Sequence, residues 1–369
     1  MGFIHDRLAA AGHSIDYFCA DDVPRPWRGR LSQRLAFPLL VRRQAIEMAR
    51  LGRPYDIVNV HEPCAVAIAS WRRSANNPLV VVTSHGLEQR AWDLAKDELR
   101  LGREGPSLKT RLTYPLTGLW PASMALERAD HIFCLNFEDR DYLISRLGRR
   151  ADTITRIYPA ADVIYARTAE GRDYTGAERI LFAGTWRKNK GLEDLIPAFA
   201  GLAERHPRLT LVVVGAGVPE KEVRSRFPAW LQPRITCEAP ADEAAMAAAF
   251  AGADVFLLPS LFEGTPLTLM QAMMSGLPIV TTSTCGMKDV IRHDDNGLLV
   301  PIRRPDAIIS AVEDLMRDPA RRERLGRAAQ GDAIQYYTWD RVTEPVGKVY
   351  EDLWERRFQR PRTMAAEAV

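Results

Sequence analysis

One stretch, VFLLPSLFEGTPLTLMQAMMSGLPIV at residues 255–280, constrains the fold of this chain more than any other. The run VFLLP is apolar without a break, which is typical of a parallel strand buried on both faces. The next loop contains Gly264, and Pro266 lies where a helix would place its first residue. Gly276 and Pro278 then end that helix. Such a strand, loop and helix directs backbone N–H groups into the crevice above a sheet, so we expect a phosphate site there.

The composition fits a globular protein of two domains. The chain has 369 residues, of which 26% are charged and 46% are hydrophobic. A net charge of +3 is too small to indicate nucleic-acid binding, so no nucleic acid is expected as a partner. The sequence shows neither an apolar run long enough to cross a membrane nor the regions of a secretion signal. We therefore expect a cytoplasmic protein.

The cysteines are odd in number and lie in or beside apolar runs, which favours reduced core thiols in the cytoplasm: Cys19, Cys64, Cys134, Cys237 and Cys285. Two of them follow a histidine, His61 or His131, at a short spacing. Neither spacing matches the paired cysteines of structural zinc sites, so we expect no metal site.

In the first half of the chain, apolar runs end in polar residues. YDIVNVHEP at 55–63 and PLVVVTSHGLEQR at 78–90 are predicted as buried strands. Ligands of open α/β sheets bind at the carboxyl ends of the strands, so His85 is expected to face a cleft. A single histidine after a strand is more often a structural residue, and on general grounds that alternative stays open.

In the second half, glycines follow two further predicted strands. RILFAGTWRKNKG turns at Gly184 and brings Lys190 to the start of a helix, where a solvated lysine is the alternative interpretation. LTLVVVGAGVPE ends at Gly215 and Gly217, whose lack of side chains would let the backbone approach a ligand, although a Gly-x-Gly turn alone is weak evidence.

With these features in view, the chain resembles the retaining nucleotide-sugar glycosyltransferases of family 4. The resemblance rests on Glu263, Gly264, Thr265 and Pro266, followed by Ala272, Met273, Gly276 and Pro278. It implies the α/β fold called GT-B, in which two Rossmann-like domains with doubly wound parallel sheets face each other.

The implied domain boundaries are as follows. Residues 1–165 would form an N-terminal domain on the acceptor side, 166–178 a polar hinge, and 179–338 a C-terminal nucleotide-sugar-binding domain. Residues 339–369 would hold a helix that packs back on the N-terminal domain, and a tail.

The start of the chain departs from this pattern. It begins with a predicted helix and then a predicted strand, SIDYFCA at 14–20, whereas a Rossmann-like domain begins with a strand. The first strand is apparently missing, and we expect that native residues precede Met1.

The resemblance also implies roles for individual residues. Lys190 matches the family's diphosphate-binding lysine, Glu263 would hold sugar hydroxyls, and His85 would orient the reacting sugar, so these three are the expected catalytic residues. The expected donor-binding residues are Gly184, Arg187, Gly215, Gly217, Gly264, Thr265, Pro266, Leu267, Thr268 and Gln271. No cofactor or metal is expected, because Lys190 and the helix N–H groups would stabilise the leaving phosphate.

Some positions differ from the family's pattern. Gln271 replaces a second glutamate that would hold the ribose, Thr185 replaces an arginine, and Ala160 and Ala161 replace Asn-Gly. A neutral hydrogen bond in place of a charged one costs about 1 kcal/mol, so donor affinity should be roughly tenfold weaker. On this basis Gln271→Glu should leave activity equal or improve it.

Basic residues mark the expected acceptor or membrane side. Residues 24–53 are rich in arginine and include Arg42 and Arg43, while a second segment contains Lys109 and Arg111. These surfaces would contact a lipid-linked acceptor or an anionic membrane, and a solvated helix face is the alternative.

The expected function is retaining, metal-independent transfer of a sugar from a nucleoside-diphosphate sugar to a glycan or lipid-linked acceptor, in cell-surface polysaccharide or glycolipid synthesis. The enzyme would be cytoplasmic or peripheral on the inner face of the membrane. The main alternative is a weakened GT-B protein that binds nucleotide or a partner without turnover. An epimerase or phosphorylase of the same fold is a third hypothesis.

Overall fold

The computed structural model describes residues 2–24, 30–71 and 77–358. Part of the arginine-rich segment, residues 25–29, and the tail at 359–369 lie outside this description. The described chain contains two parallel β-sheets. We call the parts built on them the N-terminal lobe and the C-terminal lobe.

The N-terminal sheet has the order β1-β2-β3-β4, and all neighbours are parallel. Its strands are β1 Ile57–His61, β2 Leu79–Thr83, β3 His131–Cys134 and β4 Ile154–Arg156. The accompanying helices are α1 Gly2–Ala10, α2 Arg30–Arg50, α3 Val66–Ala69, α4 Glu88–Arg100, α5 Leu108–Tyr114, α6 Trp120–Arg128 and α7 Phe137–Ser145. A π turn, Pro115–Leu119, joins α5 to α6.

The C-terminal sheet has the order β10-β9-β8-β5-β6-β7. Its strands are β5 Arg179–Ala183, β6 Thr210–Val214, β7 Ile235–Glu238, β8 Val255–Leu258, β9 Ile279–Thr282 and β10 Leu298–Val300. The remaining helices are α8 Ile164–Thr168, α9 Leu192–Arg205, α10 Glu220–Ser225, α11 Glu243–Ala251, α12 Leu267–Met274, α13 Cys285–Val290, α14 Pro305–Arg317, α15 Pro319–Tyr336 and α16 Trp339–Phe358. This order is that of a doubly wound Rossmann-like sheet.

The apolar run at the start of residues 255–280 is confirmed as a buried parallel strand. All four residues of β8 are buried, with β5 on one side and β9 on the other. Strands covered on both faces have little need of polar side chains, which is why β8 shows no alternation of polar and apolar residues.

The predicted strand at 14–20 is wrong, because the structure has irregular chain followed by a short 3₁₀ turn at Ala20–Asp22. A strand requires a paired neighbour, and the segment is not part of the sheet that ends at β1. It is held instead by side chains: Asp16 accepts a hydrogen bond from the Tyr55 hydroxyl at 2.7 Å, and Phe18 packs on Phe37.

The crossing between the lobes lies earlier than the hinge predicted at 166–178. Ala161 and Tyr165 already belong to the core of the C-terminal lobe. The polar residues that suggested a flexible hinge are tied to that lobe, since Arg172 donates to the carbonyl oxygens of Phe250, Ala253 and Ser275. A polar segment can be ordered when buried carbonyl groups accept its hydrogen bonds.

Helix α16 packs on the N-terminal sheet. Val346 forms a small core with Val81 and Phe133. Tyr350 accepts a hydrogen bond from Asn59 at 2.6 Å. The last helix therefore connects the C-terminal lobe back to the first sheet.

A buried ionic network joins the lobes on another side. Arg103 of the N-terminal lobe lies 2.9 Å from Glu98 of the same lobe and 2.9 Å from Asp194 of the C-terminal lobe. Glu98 also pairs across the interface with Arg303, at 2.6 Å. Glu98 and Asp194 are both buried. A buried charge that loses its partner is strongly destabilising, so the buried acids depend on the arginines that pair with them within and across the lobes.

Candidate active site

The candidate site lies where the strand order of the C-terminal sheet reverses. Strands β5 and β8 are neighbours in the sheet, although the two strands β6 and β7 separate them in sequence. Helices that follow β5 and β8 cross to opposite faces of such a sheet, so the loops after these strands separate and leave a crevice. The loop after β5 contains Lys190, and the loop after β8 contains Glu263.

The structure brings the two expected catalytic side chains of this lobe together. Lys190 Nζ lies 2.6 Å from Glu263 Oε1, and each side chain is only 13% exposed. The Ser260 hydroxyl donates to the same carboxylate oxygen at 2.9 Å. The carboxylate and the ammonium group are therefore fixed against each other at the reversal point.

A glycine makes this approach possible. Gly191 has a left-handed conformation, with φ of 72°, and a Cβ atom placed on it would lie 1.9 Å from the carbonyl oxygen of Pro259. Any larger residue would push the loop after β5 away from the loop after β8. Gly184, with φ of 150°, lies against the Lys190 side chain, where a Cβ atom would be 3.4 Å from Lys190 Cε.

The helix after Glu263 begins close to its predicted start. Pro266 is the N-cap residue and α12 begins at Leu267, one residue later than the sequence indicated. The first N–H groups of a helix have no acceptor within the helix, so Leu267 and Thr268 present donors at its positive end.

Two buried polar atoms on α12 have no partner among the described residues, Thr268 Oγ1 and Gln271 Oε1. Thr268 and Gln271 are three residues apart, so they lie on the same side of the helix. Buried polar atoms without a partner are rare in folded proteins, and a polar ligand would satisfy both.

The amide of Gln271 is held by a tyrosine and a glutamate. Gln271 Nε2 donates to the Tyr165 hydroxyl at 2.6 Å and approaches Glu243 Oε1 at 3.4 Å. The Tyr165 hydroxyl in turn donates to Glu243 Oε1 at 2.7 Å. A carboxylate thus lies beside Gln271 in space, contributed by α11 rather than by α12.

The structure changes the expectation for Gln271→Glu. The new carboxylate would face Glu243 across the Tyr165 hydroxyl, and like charges at this distance repel. We expect a loss of roughly 1–3 kcal/mol in the free energy of unfolding at neutral pH. The measurement is thermal unfolding at neutral and acidic pH, since protonation should remove the loss.

The matched control exchanges the two groups. Gln271→Glu combined with Glu243→Gln restores one carboxylate and one amide, so its stability should return towards that of the wild type. If Gln271→Glu alone is as stable and as active as the wild type, the expectation drawn from the sequence holds and the repulsion argument fails.

His85 lies in the N-terminal lobe beside a second histidine. His85 Nε2 and His61 Nδ1 are 3.0 Å apart, so one ring donates a hydrogen bond to the other. Burial, with a smaller contribution from His85, lowers the pKa of His61 to about 4. Burial also lowers the pKa of His85. Near neutral pH both rings are therefore uncharged, and His85 can orient a ligand as a neutral donor or acceptor.

The loop that contains His85 touches the loop that contains Glu263. A Cβ atom on Gly264 would lie 2.5 Å from the His85 carbonyl oxygen, so a larger residue cannot occupy this position. Thr265 Oγ1 donates to the Leu135 carbonyl oxygen, also at 2.5 Å. Asn136 Nδ2 donates to the Gly264 carbonyl oxygen at 3.2 Å. The loops that contain His85 and Glu263 therefore meet between the lobes, and Lys190 pairs with Glu263 beside this contact.

The other expected donor residues lie on neighbouring loops. Gly215 and Gly217 both have φ of 70°, and a hydrogen bond from Trp186 N to Ala216 O joins their loop to the one after β5. Arg187 is exposed, has no ion pair among the residues described, and lines an interlobe cavity of about 550 Å³. That cavity extends to α4 and α10, so Arg187 lies at the edge of the site.

The basic residues expected on the acceptor side form two separate surfaces. Arg42 and Arg43 line a groove on α2, and Arg42 stacks on Trp71. Lys109 and Arg111 are exposed on α5. Helix α2 packs on α3, and α3 packs on α6. Helix α3 therefore lies between the basic residues of α2 and the helical segment that holds Lys109 and Arg111.

The carboxylates of the described residues are spread over the fold. The sequence contains an Asp-x-Asp triplet at Asp139 and Asp141, but both lie on α7, where residues two apart point in different directions. Asp139 is buried and bonded to Arg90 and Asn136. Within the described ranges, no group of three histidine, cysteine or acidic residues could hold a metal ion.

Sequence reasoning missed several polar residues of this region, namely His61, Glu62, Tyr165 and Glu243. His61 ends β1 and Glu62 follows it, much as His85 follows β2, so their position at the carboxyl edge of the sheet was an available signal. Tyr165 and Glu243 gave no signal, because only the packing of α8 against α11 and α12 brings them to Gln271.

Glu62 provides a pH prediction. Burial raises the pKa of Glu62 to about 8, and its Oε2 atom has no partner in the described part of the chain. Between the ordinary glutamate pKa and about 8, the folded protein keeps a proton that the unfolded chain releases, so stability falls as pH rises. Glu62→Gln should remove this loss. In alkaline buffer it should raise the free energy of unfolding by roughly 2–4 kcal/mol, and with it the melting temperature.

The measurement for Glu62→Gln is a series of thermal unfolding curves from acidic to alkaline pH. The difference from wild type should vanish on the acidic side, where Glu62 is protonated in both states. A variant that is less stable than wild type at every pH would show that the carboxyl group makes a contact glutamine cannot replace.

Two protein-family models match the amino-acid sequence of the chain. The Glycosyltransferase Family 4 model matches residues 4–164, and the Glycosyl transferases group 1 model matches residues 168–332. The first match covers the N-terminal lobe and the second covers the C-terminal lobe up to α15. The chain spans about half the length of several curated relatives that it matches.

One relative matches over most of both chains. Phosphatidyl-myo-inositol mannosyltransferase of Mycobacterium leprae is 26% identical over 332 residues, which is 89% of this chain and 81% of that protein. Within the described residues, no helix is long and apolar enough to cross a membrane.

Solved structures share the fold. Sucrose-phosphate synthase from Thermosynechococcus elongatus superposes with a TM-score of 0.71 at 20% identity, covering 90% of this chain and 81% of that one. Anabaena Alr3699/HepE in complex with UDP-glucose has a TM-score of 0.63 at 16% identity, with coverage of 85% and 82%. The family matches and the shared two-lobed architecture lead to one conclusion: this chain belongs to the group 1 and family 4 glycosyltransferases of the GT-B fold.

Proposed function

We propose that the chain is a retaining, metal-independent glycosyltransferase that moves a sugar from a nucleoside-diphosphate sugar to a glycan or lipid-linked acceptor. The main support for this proposal is the ion pair between Lys190 and Glu263, 2.6 Å apart, at the point where the strand order of the C-terminal sheet reverses. It lies near the start of α12, where Thr268 Oγ1 and Gln271 Oε1 have no partner within the described part of the chain.

Charge stabilisation is the main catalytic contribution in this proposal. When the bond between the sugar and the diphosphate breaks, the leaving phosphate gains negative charge. Lys190 and the first N–H groups of α12 would face that charge in a partly buried site, where electrostatic interactions are stronger than in water. Both groups are held in place before the reaction, which lowers the reorganisation that the transition state requires.

Retention would follow from attack on the face that the diphosphate leaves. The C1–O bond to the phosphate breaks, the C1–O bond to the acceptor forms, and the acceptor hydroxyl passes its proton to the leaving phosphate oxygen. No second carboxylate is needed as nucleophile, unlike in retaining glycoside hydrolases. Glu263 would hold hydroxyls of the donor sugar, and neutral His85 would contact the sugar from the opposite lobe.

The donor class is supported by the fold neighbours and the acceptor class by the relatives. Anabaena HepE was solved with UDP-glucose. The name of the Mycobacterium leprae relative gives phosphatidyl-myo-inositol as its acceptor. We therefore infer a nucleoside-diphosphate sugar as donor and a membrane lipid or glycan as acceptor, in glycolipid or cell-surface polysaccharide synthesis.

We place the protein in the cytoplasm, at the inner face of the membrane. All five cysteines are free in the structure, which is common for proteins of a reducing compartment.

Nucleotide binding tests the proposed donor class first. UDP, GDP and ADP are each added in excess to the full chain, and the melting temperature is recorded. A nucleotide present at 100 times its Kd adds about 2.7 kcal/mol of stability, which corresponds to a shift of roughly 3–5 °C for a chain of this length. The preferred nucleotide then selects the sugars for a transfer assay with lipid extracts as acceptor.

Turnover separates this proposal from its alternative. The product's anomeric configuration is read by nuclear magnetic resonance, and the rate is compared with and without a chelator. Retention and chelator resistance are expected. Nucleotide binding without hydrolysis or transfer of any tested sugar would favour a GT-B protein that binds without turnover.

A further inference from the structure

The helical segment from α5 to the start of α6 presents an unusual surface. Four large apolar side chains follow one another at four-residue spacing and are 58–74% exposed: Leu108, Leu112, Leu116 and Trp120. We call these four residues the apolar stripe. Single exposed apolar residues are common in proteins, but a contiguous row indicates an interaction site.

The opposite face of the segment packs against the lobe, which leaves the apolar stripe facing outward. The Tyr114 ring stacks on Trp92 with centroids 4.9 Å apart. Gly118, Ala122 and Ala125 are buried against the lobe. In an α-helix, steps of four residues drift by about 40° around the axis. The wider π turn Pro115–Leu119 limits that drift, so the row stays on one side.

The charged residues within this helical segment are all positive. Lys109 and Arg111 are exposed on α5, and neither has an ion pair among the described residues. The sequence contains no acidic residue between Glu104 and Glu127. An apolar row flanked by free cations and lacking carboxylates complements a surface that is apolar inside and anionic at its boundary.

The stripe also lies next to the interlobe cavity. Gly105 and Pro106, which line that cavity, lead directly into α5 at Leu108. Phe262, the neighbour of Glu263, lines the same cavity. A surface bound to the stripe would therefore lie close to one end of this cavity.

We propose that the apolar stripe docks the protein on an anionic lipid bilayer, with Leu108, Leu112, Leu116 and Trp120 inserted among the acyl chains at the interface. Lys109 and Arg111 contact the lipid phosphates. A bilayer fits better than a protein partner, because the charged side chains of this segment are all cations beside an apolar row, which is the pairing that lipid phosphates above acyl chains would satisfy. This extends the proposed function and does not require turnover.

Vesicle sedimentation with the full chain tests the proposal. The probes are vesicles of phosphatidylcholine alone and vesicles that also contain phosphatidylglycerol, at low and high salt and without nucleotide. Wild type should bind the anionic vesicles, and binding should weaken as salt rises. Leu112→Ser with Leu116→Ser should weaken binding about tenfold or more. Lys109→Gln with Arg111→Gln should weaken it by roughly thirtyfold at low salt and abolish most of the salt dependence.

Ile334→Ser is the matched control, since Ile334 is a similarly exposed apolar residue, 51% exposed, on α15 of the other lobe. It should leave vesicle binding unchanged. Unchanged melting temperatures establish that the stripe variants fold. The proposal is overturned if wild type binds neither vesicle, or if the leucine variant binds as well as wild type. It is equally overturned if light scattering shows that the stripe joins two copies of the chain while vesicle binding is unaffected.

Loss of vesicle binding is distinguishable from failure of the proposed enzyme function. The first is measured without a donor, whereas donor hydrolysis is measured without vesicles. The leucine variant should hydrolyse a donor sugar in solution at the wild-type rate and lose transfer only to an acceptor presented in vesicles.

Discussion

Lys190→Met should lower the rate of glycosyl transfer by about 10²–10³-fold, because one preorganised cation at the leaving phosphate is typically worth that much. The methionine keeps the length and most of the volume of the side chain but cannot bind the diphosphate. Nucleotide affinity should fall as well, and the loss in kcat should exceed the change in KM if the cation acts mainly in the transition state. Steady-state kinetics with the preferred donor measures both.

Lys188→Met is the matched control for Lys190→Met. Lys188 belongs to the same turn, is 54% exposed, and pairs across the lobes with Glu104 at 2.8 Å. Exposed ion pairs contribute little, so its rate should stay within about threefold of wild type. Lys190→Arg retains the charge and should recover part of the activity. If Lys190→Met and Lys188→Met behave alike, Lys190 does not act on the donor.

Arg103→Met should destabilise the protein by roughly 3–5 kcal/mol, because it leaves buried acids without their counter-charge. Glu98 and Asp194 are 8% and 3% exposed, and each lies 2.9 Å from the Arg103 guanidinium. Glu98 would retain Arg303, whereas burial already raises the pKa of Asp194 even with Arg103 present. We expect the variant to lose the contact between the lobes before either lobe unfolds, since Arg103 bridges them.

Two measurements test this expectation. The melting temperature reports the loss of stability, and the radius of gyration from small-angle scattering reports separation of the lobes. The control is Arg100→Met, on the last turn of α4, where the arginine is 75% exposed and pairs with Asp97. This surface pair should contribute at most about 0.5–1 kcal/mol. An Arg103→Met protein that melts like the control and keeps the wild-type radius would show that the network does not hold the lobes together.

Much of the C-terminal lobe could be predicted because its signals are local. The apolar run of β8, the loop with Gly264 and the helix ended by Gly276 lie within one short segment, and each depends on backbone chemistry that neighbouring residues decide. Lys190 and Glu263 could be named in the same way. The 2.6 Å contact between them depends on β5 and β8 being neighbours in the sheet. Similarity to a known family can imply that strand order, whereas the secondary-structure propensities of the residues cannot.

Predictions failed or fell short where distant contacts decide the local structure. Residues 14–20 have the composition of a strand but no paired neighbour, so they remain irregular. Residues 166–178 have the composition of a hinge, yet Arg172 ties them to carbonyl groups of the C-terminal lobe. Gln271 could be identified as a departure from the family's pattern, but Glu243 beside it could not.

By itself, the sequence determined the class of the fold, several strands of both sheets, among them β1, β2, β5, β6 and β8, and the residues that line the loops after β5 and β8. These features depend on side-chain polarity and backbone freedom within a few residues. Only the tertiary structure decided which charges are paired, which polar atoms on α12 lack partners, and which apolar residues of α5 and α6 remain exposed. Those properties depend on the groups that packing brings close from elsewhere in the chain, and burial sets how strongly each charge or polar atom requires a partner.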